Sequence, residues 1–325
     1  MIQLSAVSFG YGRSDLLFDG LDLHLNPGVH GLLGLNGAGK TSLLKLISGL
    51  RRAWQGTCTT LGHDASRREV EMLQDAFIVL DEVPVSPHSA LDLAKERAGF
   101  YPRFDHALYG ALLEESEVTP DKSLKALSTG QRKKSMIAFG VATGCRLLLL
   151  DEPTNGLDIP SKSTFRRIIA RHLDEDRCVI ISTHQILEVE NLLDSVMVLK
   201  DGKIVFQADL DAVHSAVGLT EQPAQEADLI YSEDRPLGQR YLVAASGAPL
   251  AQVDLETLFN AAIAEPQRLT TPFPQEPSYE YPTAYVEAAH RAAASQRITR
   301  SPPPRLVGSS RCDLQLLFLV FCTVV

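Results

Sequence analysis

The stretch GLNGAGKT, residues 34–41, matches the phosphate-binding pattern G-x-x-x-x-G-K-[ST] at every fixed position. It continues the apolar run VHGLLGL (29–35), which predicts a strand. It leads into TSLLKLISGL (41–50), whose apolar spacing predicts a helix. Strand, glycine-rich loop and helix in this order are the context that a phosphate-binding loop requires. The stretch therefore predicts an α/β fold that binds a nucleotide.

Each residue type in this loop suits a triphosphate. The glycines let backbone N–H groups close around the β-phosphate, and the N-terminus of the following helix adds its dipole. Lys40 is expected to reach the β- and γ-phosphate oxygens, and Thr41 to offer its hydroxyl to Mg²⁺. A glycine-rich turn that binds nothing is the alternative, and the flanking strand and helix weigh against it. The predicted ATP-binding residues here are Gly34, Leu35, Asn36, Gly37, Ala38, Gly39, Lys40, Thr41 and Ser42.

Two further apolar strands end in polar residues. RLLLLDEP (146–153) places four leucines before two acids, and CVIISTHQ (178–185) ends close to a histidine. Strands that are apolar on both faces belong inside a parallel sheet, whose carboxyl edge presents ligands. We therefore predict that Asp151 holds Mg²⁺, that Glu152 polarises the attacking water, and that His184 bonds the γ-phosphate. The structural alternatives are a helix-capping Asp-Glu pair and a packed histidine.

The remaining patterns predict the domain organisation. Residues 2–9 and 21–25 alternate as half-buried strands do, and LKDGKIVF (199–206) carries an Asp-Gly hairpin signal. ADLIYSED and QRYLVAAS predict a second hairpin, and DLETLFNAAIAE predicts a short amphipathic helix. The predicted parts are a nucleotide-binding domain at 1–208, an accessory hairpin and helix at 209–267, and a Pro/Ala-rich disordered tail with an apolar end at 268–325.

Charge and cysteine content narrow the partners and the compartment. The 325 residues include 31 basic and 40 acidic side chains, a formal charge of −9, which argues against a nucleic-acid partner. A local basic patch stays open at Arg132, Lys133 and Lys134. The five cysteines form no CxxC pair and no signal peptide is visible, so a reducing cytoplasm is expected. The apolar run 316–325 has about half the length of a membrane span.

Five short motifs occur in the order GLNGAGKT, LSTGQ, LLLLDEP, NGLD and STHQ. Over residues 2–208 they resemble the nucleotide-binding domain of ATP-binding cassette (ABC) transporters. The resemblance implies a P-loop fold with a mixed, largely parallel core sheet, an antiparallel β subdomain and a helical subdomain. It also implies ATP-binding roles outside the phosphate-binding loop, for the adenine-stacking Tyr11, for Asp158 after the catalytic acid, and for Ser128, Gly130 and Gln131 of LSTGQ.

The resemblance explains why one chain carries a second anion-binding loop. In this family two domains pair head to tail, so that each ATP lies between the phosphate-binding loop of one and the signature loop, here LSTGQ, of the other. The likeness is greatest to ATPase subunits of small bacterial exporters whose permease is a separate chain. It implies a homo- or heterodimer, peripheral on the cytoplasmic face of the membrane.

Two positions depart from the family pattern. Thr129 stands in LSTGQ where glycine is commoner. In FIVLDEVPVSP (77–87) the family usually has a glutamine that touches magnesium and reports to the membrane subunit. Asp81 and Glu82 are the candidates here, and we predict both as additional metal ligands.

Two other functions compete with transport. A soluble ABC ATPase acting on ribosomes or DNA is the first, but such proteins typically carry two cassettes or long coiled coils. This chain has a single phosphate-binding motif and no heptad run. A small-molecule kinase is the second, and it leaves LSTGQ and STHQ unexplained. The sequence therefore favours a transporter ATPase.

Overall fold

The computed structural model describes residues 1–12, 15–83, 85–172, 174, 176–222, 228–236, 238–245, 250–270 and 273. The strands are β1 (Ile2–Gly12), β2 (Asp15–Leu25), β3 (Gly28–Leu33), β4 (Gln55–Thr60), β5 (His63–Asp64), β6 (Ala76–Val79), β7 (Leu147–Asp151), β8 (Cys178–Thr183), β9 (Ser195–Lys200), β10 (Lys203–Asp209), β11 (Val217–Thr220), β12 (Leu229–Arg235) and β13 (Gly238–Ala244). The α-helices are α1 (Lys40–Ile47), α2 (Val70–Leu73), α3 (Ala90–Arg97), α4 (His106–Glu115), α5 (Thr129–Ala142), α6 (Ile159–Arg171), α7 (Leu210–Ala216), α8 (Leu255–Ala264) and α9 (Pro266–Thr270). Single 3₁₀ turns lie at Ala65–Arg67, Ala98–Phe100, Leu124–Ala126, Ile186–Glu188 and Glu190–Leu192.

Two sheets carry the first two hundred residues. The first is antiparallel, with the strand order β2-β1-β4-β5. The second has the order β10-β9-β3-β8-β7-β6, in which β9, β3, β8, β7 and β6 run parallel and β10 is antiparallel. The predicted α/β fold with a largely parallel core is confirmed. The strands predicted at 2–9 and 21–25 extend further, because β1 and β2 pair along most of their length.

The central strand of the parallel sheet decides where a ligand can bind. β3 lies between β8 and β9, and each of its last three residues is buried. The chain that leaves β3 returns to the sheet at β6 on one side of β3, whereas the chain that leaves β8 returns at β9 on the other side. The loop after β3 therefore lies at a topological switch point. The loops after β7 and β8 emerge at the same carboxyl edge, which gathers three of the predicted motifs.

The hairpin predicted from Asp-Gly joins β9 to β10. Asp201 and Gly202 both have positive φ angles, 48° and 74°, as a two-residue turn of type I′ requires. A Cβ atom built on Gly202 would lie 2.0 Å from the carbonyl oxygen of Leu17. Only glycine therefore fits the second position of this turn, and the prediction of a hairpin is confirmed.

The helical part between β6 and β7 contains α3, α4 and α5, and its core is aromatic. The side chain of Phe139 on α5 is fully buried. Its ring centroid lies 4.9 Å from that of Phe104, 5.5 Å from Phe77, 5.6 Å from Tyr109 and 6.0 Å from Tyr101. These contacts pack α5 against α4 and against β6.

Replacing Phe139 by alanine is expected to remove the centre of this aromatic cluster. The lost burial and the remaining cavity should lower the free energy of unfolding by about 3–5 kcal/mol. Urea denaturation followed by circular dichroism measures the change. The matched control is Leu91→Ala on the surface of α3, where 36% of the residue is exposed and the expected change is within about 0.5 kcal/mol. Equal effects of the two substitutions would contradict the central role of Phe139.

The segment after β10 folds as a small antiparallel sheet with helices. β12 and β13 form the hairpin predicted from ADLIYSED and QRYLVAAS, and α8 is the predicted amphipathic helix. The short strand β11, which pairs with β13, and helix α7 carry no clear periodicity and were not predicted. α9 runs to Thr270, so the first residues of the predicted tail are helical.

The domain limits at 208 and 267 stay predictions. The contacts of the chain define one unit from Met1 to Phe273. The predicted disordered tail, beyond Phe273, lies outside the described residues. Among the described residues, no helix combines the length and the apolar character needed to cross a membrane.

Candidate nucleotide-binding site

The loop between β3 and α1 contains the residues predicted to hold phosphates. Gly39 precedes α1 with a φ of 105°, and a Cβ atom there would lie 3.0 Å from the ring of Phe18. Glycine is therefore required at this position for both conformation and space. Lys40, Thr41 and Ser42 form the first turn of α1, where backbone N–H groups are free to bind an anion.

The ammonium group of Lys40 lies inside this loop. The residue is 7% exposed, and Nζ donates hydrogen bonds to the carbonyl oxygens of Gly34 at 2.8 Å and Leu35 at 3.3 Å. The same Nζ lies 3.5 Å from Oε1 of Glu152, which follows β7. The structure thus brings together a cation and an acid that are far apart in sequence.

Glu152 also contacts the histidine that follows β8. Nδ1 of His184 lies 2.9 Å from Glu152 Oε1, and the backbone N–H of His184 donates to Oε2 at 3.3 Å. Glu152 is 8% exposed and has a φ of 45°, a left-handed conformation that is strained for glutamate. Its backbone N–H donates to the carbonyl oxygen of Ser182 at 3.0 Å. Lys40, Glu152 and His184 therefore converge at one point of the carboxyl edge.

Two of the four residues predicted to hold Mg²⁺, Thr41 and Asp151, form a separate cluster beside this point. Thr41 Oγ1 donates to Asp151 Oδ2 at 2.7 Å, and Ser182 Oγ donates to Asp151 Oδ1 at 2.5 Å. Asp151 is 2% exposed and ends β7. A hydroxyl and a carboxylate are hard oxygen donors, the type that Mg²⁺ takes when substrate phosphates supply further ligands. This donor set fits the ion.

Tyr11 stands at the end of β1, above α1. Its hydroxyl is 2.8 Å from Ser42 Oγ, and the guanidinium carbon of Arg51 lies 5.8 Å from the ring centroid. The residue is 58% exposed. The ring is thus exposed and bonded to the first turn of the phosphate-binding helix, and its stacking on adenine stays a prediction.

The LSTGQ loop forms the beginning of α5. Ser128 Oγ accepts the N–H of Gln131 at 3.2 Å, and Gln131 Oε1 accepts the N–H of Ser128 at 3.2 Å, a capping box. A Cβ atom on Gly130 would lie 3.0 Å from the carbonyl oxygen of Gly156, so the loop packs against the segment after β7. No hydrogen bond or ion pair among the described residues joins it to residues 34–41.

Asp158 caps helix α6. Its Oδ1 accepts the backbone N–H of Ser161 at 2.9 Å. Hydrogen bonds from the hydroxyl and the amide of Ser161 hold the pKa of this exposed carboxyl below its ordinary value. Its predicted contact with ATP stays a prediction, since the side chain binds its own helix.

The basic patch that the sequence left open at Arg132, Lys133 and Lys134 does not include Lys133, which is buried. The Lys133 side chain is 1% exposed, and its Nζ donates to Asp81 Oδ1 at 2.6 Å, to Glu152 O at 2.9 Å and to Asn155 O at 3.0 Å. Lys133 lies on the buried face of α5 together with apolar residues. The three consecutive basic residues in the sequence do not show which face each of them occupies. Lys133 and Asn155 are the site residues that the sequence reading missed.

Asp81 therefore has a lysine as its partner. Nδ2 of Asn155 also lies 3.2 Å and 3.3 Å from its two carboxylate oxygens, whereas Glu82 is exposed. In the part of the chain that the structure describes, no group of three or more His, Cys, Asp or Glu side chains could hold a metal. Metal binding by Asp81 and Glu82 stays a prediction, and no such group among the described residues includes either of them.

The fold and this site define a P-loop nucleotide-binding protein. A phosphate-binding loop lies at the switch point of a parallel sheet, and an acid pair and a histidine end the next strands. A family model described as ABC transporter matches residues 18–155.

Three ATP-binding proteins of transporters are similar in sequence to this chain. The ABC transporter ATP-binding protein NatA of Bacillus subtilis is 30% identical over 202 residues, 58% of this chain and 79% of NatA. The lantibiotic transport ATP-binding protein SrtF of Streptococcus pyogenes is 29% identical over 214 residues, 65% of this chain and 92% of SrtF. The arabinose import ATP-binding protein AraG of Chromohalobacter salexigens is 31% identical over 216 residues, 62% of this chain, which spans 44% of AraG. The chain belongs to the ABC transporter family, as one of its ATP-binding proteins, and is an ATPase.

Solved structures agree on the fold. The ATP-binding subunit of an ABC transporter superimposes with a TM-score of 0.59 at 22% identity, over 66% of this chain and 92% of that one. A dimeric ATP-binding cassette in a post-hydrolysis state, bound to ADP and Pi, gives a TM-score of 0.57 at 19% identity, over 64% and 98%. The ABC ATPase fold predicted from the five motifs is confirmed.

Proposed function

We propose that the protein hydrolyses MgATP within a head-to-tail dimer and drives a membrane permease that is a separate chain. The observation that carries this proposal is the convergence of Lys40, Glu152 and His184 at the carboxyl edge of the sheet. A cation for the phosphates, an acid for water and a second donor are the groups that phosphoryl transfer to water needs.

The side chains divide the reaction between them. A triphosphate in the loop would draw Lys40 from Gly34, Leu35 and Glu152 towards the β- and γ-phosphate oxygens. Thr41 and Asp151 would hold Mg²⁺, which when bound neutralises charge on the phosphates. Glu152, released from Lys40, orients and polarises the attacking water, and His184 donates to the γ-phosphate. Tyr11 stacks on the adenine.

The dimer is proposed because the two anion-binding loops do not share a site within one chain. LSTGQ packs on the segment after β7 and caps its own helix. The N–H groups of Thr129 and Gly130 at the start of α5 remain available to an anion from another chain. Ser128, Gly130 and Gln131 then bind the γ-phosphate held by the partner. The dimeric cassette with ADP and Pi supports this arrangement.

The relatives support the proposed permease and location. SrtF is described as a lantibiotic transport ATP-binding protein and AraG as an arabinose import ATP-binding protein. We place this chain likewise beside a membrane permease, on the cytoplasmic face. Affinity purification of the tagged full chain from detergent-solubilised membranes tests this. An integral membrane protein should co-purify and raise the rate of Mg²⁺-dependent phosphate release. Release that is independent of Mg²⁺, or recovery without a membrane protein but with ribosomes or DNA, would contradict the proposal.

His184→Ala should lower kcat for ATP hydrolysis by a factor on the order of 10². The imidazole contacts Glu152 and, in the proposed mechanism, the γ-phosphate. Its loss should therefore slow the chemical step at the γ-phosphate, whereas KM for ATP should stay within about threefold. Phosphate release over a range of ATP concentrations separates the two constants. The matched control is His63→Ala in β5, whose Nδ1 lies 2.8 Å from Glu69 Oε2, away from the loop. A His184→Ala enzyme with the kcat of the control would remove the histidine from the mechanism.

A further inference from the structure

A buried lysine, Lys133, connects three segments of the chain next to Glu152, the proposed catalytic carboxylate. Nζ of Lys133 donates three hydrogen bonds, to one carboxylate oxygen of Asp81 and to the carbonyl oxygens of Glu152 and Asn155. These acceptors belong to the loop after β6 and to the segment after β7, whereas the lysine belongs to α5. The ammonium thus connects α5 with the loop after β6 and with the segment after β7.

The bond to Glu152 reaches the residue whose side chain faces Lys40 and His184. Glu152 has a left-handed φ of 45°, which glutamate adopts only where its surroundings determine it. Its N–H donates to Ser182 on β8, and its C=O accepts from Nζ of Lys133 and from the backbone N–H of Asn155. Both ends of the residue are therefore held by hydrogen bonds, one of which comes from the buried ammonium.

Asp81 completes this arrangement as the counterion. An ammonium with 1% of its side chain exposed is strongly destabilising unless a carboxylate compensates it. Asp81 supplies this charge at 2.6 Å, and Asn155 Nδ2 contacts the same carboxylate. Were Asp81 to turn to a magnesium ion, Lys133 would stay buried without its anion. The two roles of Asp81 therefore compete for one carboxylate.

We propose that Lys133 is a positioning residue for Glu152 and that Asp81 serves as its counterion and not as a metal ligand. The proposal rests on the proposed function for the role of Glu152 in hydrolysis. It gives one of the two candidate acids in 77–87, Asp81, a partner inside the protein. Because α5 begins at LSTGQ and Asp81 follows β6, displacement of either segment then reaches the catalytic acid through one side chain.

Lys133→Met tests the positioning role, since methionine keeps the apolar length and loses all three donors. We expect kcat to fall by a factor on the order of 10 to 100, because Glu152 loses the hydrogen bond that the ammonium donates to its carbonyl oxygen. KM for ATP should stay within about twofold, since no group that binds nucleotide is removed. The matched control is Lys134→Met, the same change at the next residue, whose Nζ contacts Ser161 Oγ at 3.3 Å. An unchanged kcat in Lys133→Met would overturn the proposal.

A double-mutant cycle tests the counterion role without relying on catalysis. Asp81→Asn leaves a buried unpaired ammonium, so its midpoint of thermal unfolding without nucleotide should fall by about 4 °C or more. In Asp81→Asn/Lys133→Met no buried charge is left, and the loss should be smaller than the sum of the single losses. Strictly additive losses would contradict the pair. This cycle remains informative even if the protein fails to hydrolyse ATP, which would contradict the proposed function alone.

A magnesium titration separates the two roles of Asp81. For a counterion, Asp81→Asn changes kcat in the way that Lys133→Met does, and the Mg²⁺ concentration at half-maximal rate stays within about twofold. For a metal ligand, that concentration rises tenfold or more, and Lys133→Met does not share the effect. The second outcome would overturn the assignment of Asp81.

Discussion

Lys40→Ala is expected to weaken ATP binding by a factor on the order of 10²–10³. The change removes a buried ammonium whose charge-assisted hydrogen bonds to phosphate no other side chain of the loop can replace. Lys40 is 7% exposed and already lies within bonding distance of two loop carbonyl groups. Displacement onto phosphate oxygens therefore requires only a small movement. Equilibrium titration with a fluorescent ATP analogue measures the affinity.

The matched control for this change is Lys45→Ala on the same helix. Lys45 lies in the last turn of α1, away from the loop, and should leave the affinity within about twofold. Circular dichroism checks that both variants are folded, since Lys40 also contacts Glu152. An affinity of Lys40→Ala equal to that of the control would mean that the loop does not bind the triphosphate.

The contrast between two lysines shows what the sequence can predict. The role of Lys40 could be predicted, because β3, the glycine-rich loop and α1 follow one another directly in the chain. This local pattern determines where the lysine lies. The role of Lys133 could not be predicted, because its partner Asp81 is 52 residues away and only the packing of α5 on the sheet brings them together. In a run of three basic residues the expected state of a lysine is solvated, and its burial depends on tertiary contacts.

The same distinction holds for the fold. The hairpin at Asp201 and Gly202 was predicted, since positive φ angles at two successive residues leave a local signature. Strand β11 was not, because four residues carry too little periodicity, and its pairing with β13 creates the strand. The left-handed φ of Glu152 leaves no signature either. The residue is held by hydrogen bonds to Ser182 and Lys133, which belong to other elements and are not visible in the local sequence.

Glu152→Gln is expected to slow ATP hydrolysis by a factor on the order of 10²–10⁴, the range for loss of a general base. Glutamine keeps the shape and loses the charge that polarises water. ATP binding should survive, because Lys40, Thr41 and Asp151 are unchanged. Unhydrolysed ATP should then hold two chains together, so that light scattering reports a dimer with MgATP and a monomer without it. A variant that stays monomeric at saturating MgATP would count against the head-to-tail arrangement.

Adding Ser128→Arg to Glu152→Gln should abolish this dimer. The long side chain blocks the approach of LSTGQ to the partner's γ-phosphate, whereas the chain's own phosphate-binding loop is untouched. Binding of the fluorescent ATP analogue should therefore persist, which also shows that loss of the Ser128 cap has not unfolded the protein. A double mutant that still dimerises with MgATP would show that LSTGQ is not the second anion-binding site.

Mixing two defective chains gives the most specific test of the head-to-tail geometry. Glu152→Gln/Ser128→Arg keeps its phosphate-binding loop, and Glu152→Gln/Lys40→Ala keeps its LSTGQ. Neither should dimerise alone. In a head-to-tail pair of the two, the intact loop of one chain faces the intact LSTGQ of the other and completes one ATP site. The mixture should therefore form a dimer with MgATP, at a higher protein concentration than Glu152→Gln because one site replaces two. If the ATP site were complete within one chain, mixing would restore nothing, and light scattering would report monomers throughout.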